Sequence, residues 1–309
     1  MQNDKLLSVI IPAYNEQDMI SKTFHTVKEI LDGANIPFEL IFVDDGSKDM
    51  TYANISELSK FHSEIRGISF SRNFGKESAI FAGLENASGA CCVIMDCDLQ
   101  HPPATIVEMY RFWEQGYEVV EGIKASRGKE SAFHKLCANS FYGIISKVTD
   151  IDMANASDFK LLDRRAMDAL LLMPERAPFF RALSSWIGFK TTSVSFKVQE
   201  RTVGDSKWSM WSLTKYAIRN ITSFSGAPMQ FVTFMGWIML LFSVVFAAHS
   251  LYRYFTGTAL EGFTTVILLQ LIIGSVLMIS LGVIGHYISR IYDEIKGRPR
   301  YLISKRCGY

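Results

Sequence analysis

The chain has 309 residues, 49% hydrophobic and 20% charged, which excludes a disordered protein and leaves room for one large domain or two small ones. A formal net charge of +1 supplies no basic field, so nucleic acid is excluded as a partner. Five cysteines, an odd number without zinc-ligand spacing, exclude a disulfide framework, and Cys91, Cys92 and Cys97 are expected as small core residues of a reducing compartment.

The first residues lack a charged-then-apolar signal pattern, so the first domain is expected in the cytoplasm. Leu6 to Ile11 is a short apolar run that reads as a buried strand ending at Pro12, with Pro12 to Glu16 as a loop. Ile20, Phe24, Val27, Ile30 and Leu31 follow at helical spacing and stop near Gly33. A second strand from Phe38 to Val43 ends in Asp44-Asp45-Gly46-Ser47, and a helix is expected over 49–62 with Ser47 as its cap. A strand over 67–70, a helix over 77–86, a strand over 91–95 and a helix behind Pro102-Pro103 complete the pattern. Apolar strands alternating with helices imply an α/β fold around a parallel sheet with right-handed crossovers.

In such sheets ligands bind at the carboxyl ends of the strands. Here every strand end carries polar residues: Asn15 and Glu16, Asp44 and Asp45, Arg72 and Lys76, Asp96 and Asp98. Asp96 and Asp98 stand two apart, so in an extended segment they point the same way, with Gln100 as a third oxygen. That donor set suits Mg²⁺ or Mn²⁺ bridging a diphosphate; alone, it equally describes a strand ending in a polar turn. Asp44 or Asp45 can accept hydrogen bonds from a uracil ring or a ribose, or can merely build a turn. Neither a G-x-G-x-x-G nor a P-loop pattern is present. His101 reads as a loop histidine, and Phe179, Phe180 and Trp186 as core residues.

Pro12-x-Tyr14-Asn15-Glu16, Val43-Asp44-Asp45-Gly46-Ser47 and Asp96-x-Asp98-x-Gln100 resemble the family 2 glycosyltransferases, which have a GT-A fold. The resemblance continues through Ser157-Asp158-Phe159-Lys160 to Arg164, Pro174-Glu175-Arg176, Arg201 to Trp208 and the tail Arg298-Pro299-Arg300-Tyr301. It is similar to the polyprenyl-phosphate glycosyltransferases, dolichol-phosphate mannose synthase among them and, more closely, the bacterial bactoprenol glucosyltransferases. The resemblance implies that Asp96, Asp98 and Gln100 hold the metal, and that Asp44 with the 12–16 loop holds the nucleotide. It implies that Asp158 is the catalytic aspartate, that Arg201 and Lys207 close over the phosphates, and that Arg127 faces the lipid phosphate. The family often has glycine where this chain has Ser157, which fits unless that backbone needs a positive φ.

Composition shifts after Val203. Met210, Leu213, Ala217, Ile221 and Phe224 share a helical face opposite Ser212, Lys215 and Arg219, so 204–228 is expected to lie in a bilayer interface. No charged residue occurs from Asn220 to Tyr252 or from Gly262 to Ser289, and transmembrane helices are expected over about 229–249 and 264–286. The loop between them holds Arg253 and Glu261, whereas Lys215, Arg219, Arg290, Lys296, Arg298, Arg300, Lys305 and Arg306 flank the spans. By the positive-inside rule both termini are cytoplasmic, with a catalytic domain over 1–203 and a basic tail over 290–309.

The resulting expectation is an enzyme of the inner membrane. It moves one hexose, glucose first, from a UDP-sugar to undecaprenyl phosphate with inversion, with mannose, N-acetylglucosamine or aminoarabinose as alternatives. A processive synthase fits less well, since Gln-x-x-Arg-Trp is absent and the spans are few. A non-catalytic scaffold predicts that Asp96 and Asp98 are dispensable. A homotetramer is implied by the resemblance alone.

Overall fold

A computed structural model describes residues 5–124, 157–173, 175, 178–197, 227–256 and 262–309. The chain divides into two units, Met1–Trp208 with Arg298–Tyr309, and Ser209–Gly297.

In the first unit, strands β1 (Leu7–Ala13), β2 (Phe38–Asp44), β3 (Ile65–Phe70) and β4 (Cys91–Ile94) alternate with helices α1 (Ile20–Gly33), α2 (Thr51–Leu58), α3 (Lys76–Asn86) and α4 (Ala104–Glu114). Strands β5 (Val119–Lys124) and β6 (Lys160–Asp163), helices α5 (Arg164–Leu171) and α6 (Phe180–Trp186), and strand β7 (Thr191–Phe196) follow. The last strand, β8 (Ile303–Cys307), comes from the end of the chain. All eight form one sheet in the order β7-β5-β6-β4-β1-β2-β3-β8. The pairs β1–β2, β1–β4, β2–β3 and β5–β7 are parallel, and β3–β8, β4–β6 and β5–β6 antiparallel. The sheet is therefore mixed and mostly parallel. β1 and β2 at its middle are buried along almost their whole length, because both faces are covered by helices and every second residue has no polar side to turn outward. The apolar stripe of α1 (Ile20, Phe24, Val27, Leu31) packs into that core.

Several local expectations are corrected. β1 runs through Pro12, which lies opposite Val43, to Ala13. Ser47 does not cap α2; its hydroxyl accepts the Asn15 amide, and Asp49 instead accepts the Thr51 amide at 3.0 Å. Phe179 and Phe180 are buried, but Trp186 is 65% exposed. Ser157 has no positive φ, and its hydroxyl accepts the Phe159 amide, so serine fits there.

In the second unit, helices α7 (Ala227–Phe255) and α8 (Phe263–Ile295) each carry a stretch long and apolar enough to cross a membrane, Phe231–Arg253 and Ile272–Ile295. Neither stretch is buried within the chain. Arg253 belongs to the last turn of α7 rather than to the connecting loop, and Arg290 lies inside α8. Residues 204–226, where the interfacial helix is expected, lie outside the described residues, as does Glu261.

Candidate functional site

The carboxyl ends of β1 and β2 are laced together by their loops. The Asn15 amide donates to Ser47 Oγ at 2.9 Å, and Asn15 Oδ1 accepts the Lys48 amide at 3.0 Å, with Asn15 held at φ 54°. The Glu16 amide donates to Thr51 Oγ1 at 2.9 Å. Tyr14 beside them is exposed. Asp44 accepts the Ser47 amide at 3.0 Å and the Ser69 hydroxyl at 2.7 Å. Asp45 accepts the amides of Phe74 and Gly75 at 2.6 and 2.9 Å, tying the β3–α3 loop to the same corner. Burial raises the Asp45 carboxyl above its usual value against those two amides. Arg72, exposed, stacks its guanidinium 4.2 Å from the Phe74 ring. Much of what these residues do is therefore to build one rigid rim.

Gly46 is the hinge of that rim. Its φ is +67°, and a Cβ there would collide with the Arg72 backbone. Gly46→Ala adds a left-handed alanine to an overpacked contact that no side chain can relieve. A loss of about 2–4 kcal/mol is expected, read as a lowered thermal midpoint of the purified protein in detergent.

The second half of the site follows from strand register. β4 and β6 are antiparallel, with Ile94 opposite Lys160. Two residues beyond Ile94 is Asp96, and two residues before Lys160 is Asp158, so the pairing brings both carboxylates to one sheet end. Lys76, the first residue of α3, bridges them, with Nζ 2.5 Å from Asp96 and 2.9 Å from Asp158. Arg181 on α6 grips Asp158 with both prongs, Nε at 2.6 Å and a terminal nitrogen at 2.8 Å. Asp158 is 7% exposed. Burial alone would raise its carboxyl, but Lys76 and Arg181 reverse this and hold it well below the usual carboxylate range. Burial likewise works against the ionised Asp96, and Lys76 followed by His101 outweighs it, so Asp96 also sits low. Lys76, against its partial desolvation, is held above its usual value by the two acids. At neutral pH the group is therefore two anions interleaved with two cations. A carboxylate so stabilised and so fully hydrogen-bonded is a poor proton acceptor; it is well suited to fixing the position of two cations.

β4 ends at Ile94, so Asp98 lies in a turn rather than on an extended segment, with Leu99 at φ +56°. Asp98 Oδ1 accepts the Gln100 amide at 3.0 Å. Among the described residues no three His, Cys, Asp or Glu side chains are grouped to hold a metal ion. Asp96, Asp98 and Gln100 are hard oxygen donors at a partly exposed rim, a set that fits a cation taking its remaining ligands from phosphate and water. His101 is not an exposed loop residue: it is buried, stacked on Phe159 at 4.7 Å and edge-on to Phe196. Burial lowers its pKa, against the pull of the Asp96 charge.

Glu77, next to Lys76, accepts the Phe180 amide at 2.9 Å. Burial raises its carboxyl and the Asp158 charge raises it further, against the Phe180 amide, Lys76 and Arg181, to about 7. The folded protein thus holds a proton that the unfolded chain releases near pH 4.3. Its stabilising contribution is complete below about pH 4 and is lost as pH rises through 7. His101, lowered, slopes the opposite way below about pH 6.5, and Asp158 acts only in more acid solution. The expected result is a thermal midpoint that falls more from pH 5 to pH 8 in wild type than in Glu77→Gln, the difference between the two isolating Glu77.

The residues expected from sequence thus gather in two groups. Pro12, Tyr14, Asn15, Glu16, Asp44, Asp45 and Arg72 belong to the rim, and Lys76, Asp96 and Asp158 to the charged group. Arg127, Arg201 and Lys207 lie outside the described residues. Arg181 and Glu77 were not among the expected residues. Glu77 adjoins Lys76, and Arg181 stands five residues after Arg176, but only the packing of α3 and α6 brings Arg181 onto Asp158 and Glu77 within reach of its charge.

The family model "Glycosyl transferase family 2" matches residues 8–171. An uncharacterized glycosyltransferase of Bacillus subtilis, YkcC, is 39% identical over 97% of this chain and 94% of its own. A bactoprenol glucosyl transferase of Shigella phage SfII is 34% identical over 97% of both chains. Among solved structures, glucosyl-3-phosphoglycerate synthase from Mycobacterium tuberculosis, in complex with Mn²⁺, UDP and glucosyl-3-phosphoglycerate, matches with a TM-score of 0.51 at 18% identity. The match covers 72% of this chain and 80% of that one, and supports the GT-A fold.

Proposed function

The chain belongs to glycosyl transferase family 2, and from that premise we propose that it transfers one glucose, with inversion, from UDP-glucose to a polyprenyl phosphate at the cytoplasmic face of a membrane. The observation that carries this reading is the end-to-end likeness to a bactoprenol glucosyl transferase, which takes in the sheet and both apolar helices together.

The chemistry follows from the residues. An oxygen of the lipid phosphate attacks the anomeric carbon as the bond to the UDP oxygen breaks. A phosphate monoester, with a second pKa of about 6, is already ionised and needs no strong base, in keeping with an Asp158 committed to Arg181 and Lys76. Those two cations offset the charge of two phosphate groups brought together. The laced β1 and β2 loops, with Asp44 and Asp45, form the nucleotide rim. Asp96, Asp98 and Gln100 would hold Mg²⁺ or Mn²⁺, which supplies charge neutralisation on the departing diphosphate.

The membrane reading is supported by connectivity. The chain leaves the catalytic unit before α7 and returns to it as β8, paired to β3. If α7 and α8 both span, the two crossings return the chain to the side it left, and the basic flanks make that side cytoplasmic.

The test is transfer from a panel of labelled nucleotide sugars to undecaprenyl phosphate in detergent, with Mg²⁺, Mn²⁺ or chelator. Lipid-linked product from UDP-glucose, abolished by chelator, is the expected result. Product from another donor alone would replace the sugar, and no product from any donor in folded protein would overturn the reading.

A further inference from the structure

The tail motif Arg298-Pro299-Arg300-Tyr301 has no task in the reaction outlined above, yet the Arg300 side chain is engaged on several sides. Its Nε donates to the Glu175 carbonyl at 2.9 Å and a terminal nitrogen donates to the Met173 carbonyl. Its guanidinium lies 4.8 Å from the centre of the Phe81 ring and 4.0 Å from Glu85, both on α3. Only 13% of the side chain is exposed. Its neighbour Tyr301 stacks on Phe70 of β3 at 4.8 Å and donates to Glu85, and the Ser71 amide donates to the Leu302 carbonyl at 3.0 Å. β8 then continues along β3.

These contacts join three pieces that are far apart in the sequence. The carbonyls of Met173 and Glu175 belong to the segment that leads into α6, whose second residue is Arg181. α3 begins with Lys76 and Glu77, and Glu77 grips the Phe180 amide. Arg300 therefore ties the chain just after α5, on its way to α6, to the helix that carries the other half of the Asp158 grip. Two carbonyls held by one planar fork fix direction as well as distance, which a lysine at the same place does not do.

We propose that Arg300 is a positioning residue for glycosyl transfer: by fixing the segment ahead of α6 it seats Arg181 on Asp158. The inference deepens the reading given above and rests on it for the identity of the reaction. It gives Arg300 a task in seating the site besides its place in the basic flank after α8.

Arg300→Lys and Arg300→Ala in the full chain test this, by amide hydrogen exchange and by steady-state transfer from UDP-glucose to undecaprenyl phosphate. Exchange in the 178–186 peptides is expected to rise tenfold or more in both variants, with β1, β2 and β4 still protected. kcat is expected to fall at least tenfold with KM for UDP-glucose within twofold. Unchanged exchange in 178–186, or loosening spread over the whole sheet in both variants, would overturn the proposal, as would an unchanged kcat. If wild type transfers no glucose, the reaction is misread, and exchange at 178–186 still decides whether Arg300 seats α6.

Discussion

Asp158→Asn is expected to lower turnover by roughly 10²–10³-fold, the range found when one preorganised electrostatic contact to a transition state is removed, while the sheet stays folded. The side chain keeps its shape, but its charge is gone and one oxygen becomes an amide nitrogen facing the donors of Arg181 or Lys76. Two cations lose their common anchor. Both are partly open to water, with side-chain exposures of 29% and 40%, so they recover hydration and the thermal midpoint falls only modestly. The pH profile separates this role from general-base catalysis. An acid limb in wild type above about pH 4, missing from the variant, would show Asp158 titrating as a base; a carboxylate held below its usual range by Lys76 and Arg181 gives none. Arg181→Lys, which keeps the charge and loses the fork, is expected to fall between wild type and Asp158→Asn. Near-normal kcat in folded Asp158→Asn would remove Asp158 from the mechanism.

The parallel half of the sheet was legible because its strands are near-continuous apolar runs stopped by polar corners. Leu7–Ala13 and Phe38–Asp44 differ from the expected strands only at their ends. The antiparallel half was not. β6 is four residues long and includes the charged Lys160 and Asp163, so no periodicity marks it. Lys160 is fully buried only because Glu121 meets it at 2.6 Å and the Ser184 hydroxyl at 2.8 Å, a satisfaction that depends on β5 and α6 lying beside it. The same limit applies to the site. Motif spacing located Asp96 and Asp158 separately, but their meeting depends on Ile94 pairing with Lys160, a long-range choice.

The end of the chain shows the opposite case, a pattern that was visible and had two meanings. Lys305 and Arg306 look like a positive flank after a membrane span, yet charged side chains are also how an edge strand is protected. β8 resolves it: it pairs with β3 as the edge strand of the sheet, Lys305 and Arg306 are both exposed there, and Cys307 is half-buried against Gly67.

Asp98→Asn and Asp96→Asn should separate the cation's contribution from that of the charged group. Asp98 is not a partner in the Lys76 bridge, so its loss should leave that bridge in place and weaken the hold on the cation that neutralises the diphosphate. Such stabilisation is worth several kcal/mol, or roughly 10³-fold in rate. Asp96→Asn removes a donor oxygen and also releases Lys76, which then leans wholly on Asp158. The loss in Asp96→Asn should therefore exceed that in Asp98→Asn. Mn²⁺ binding in the presence of UDP, followed by calorimetry, supplies a readout apart from turnover. Both variants are expected to lose it, while UDP alone still binds the rim built by Asp44, Asp45 and Asn15. If Asp98→Asn keeps wild-type Mn²⁺ affinity, the cation sits elsewhere, and Asp98 closes its turn onto the Gln100 amide without holding the ion. If turnover survives in both variants, the reaction needs no cation at this rim, and Lys76 with Arg181 must carry the diphosphate alone.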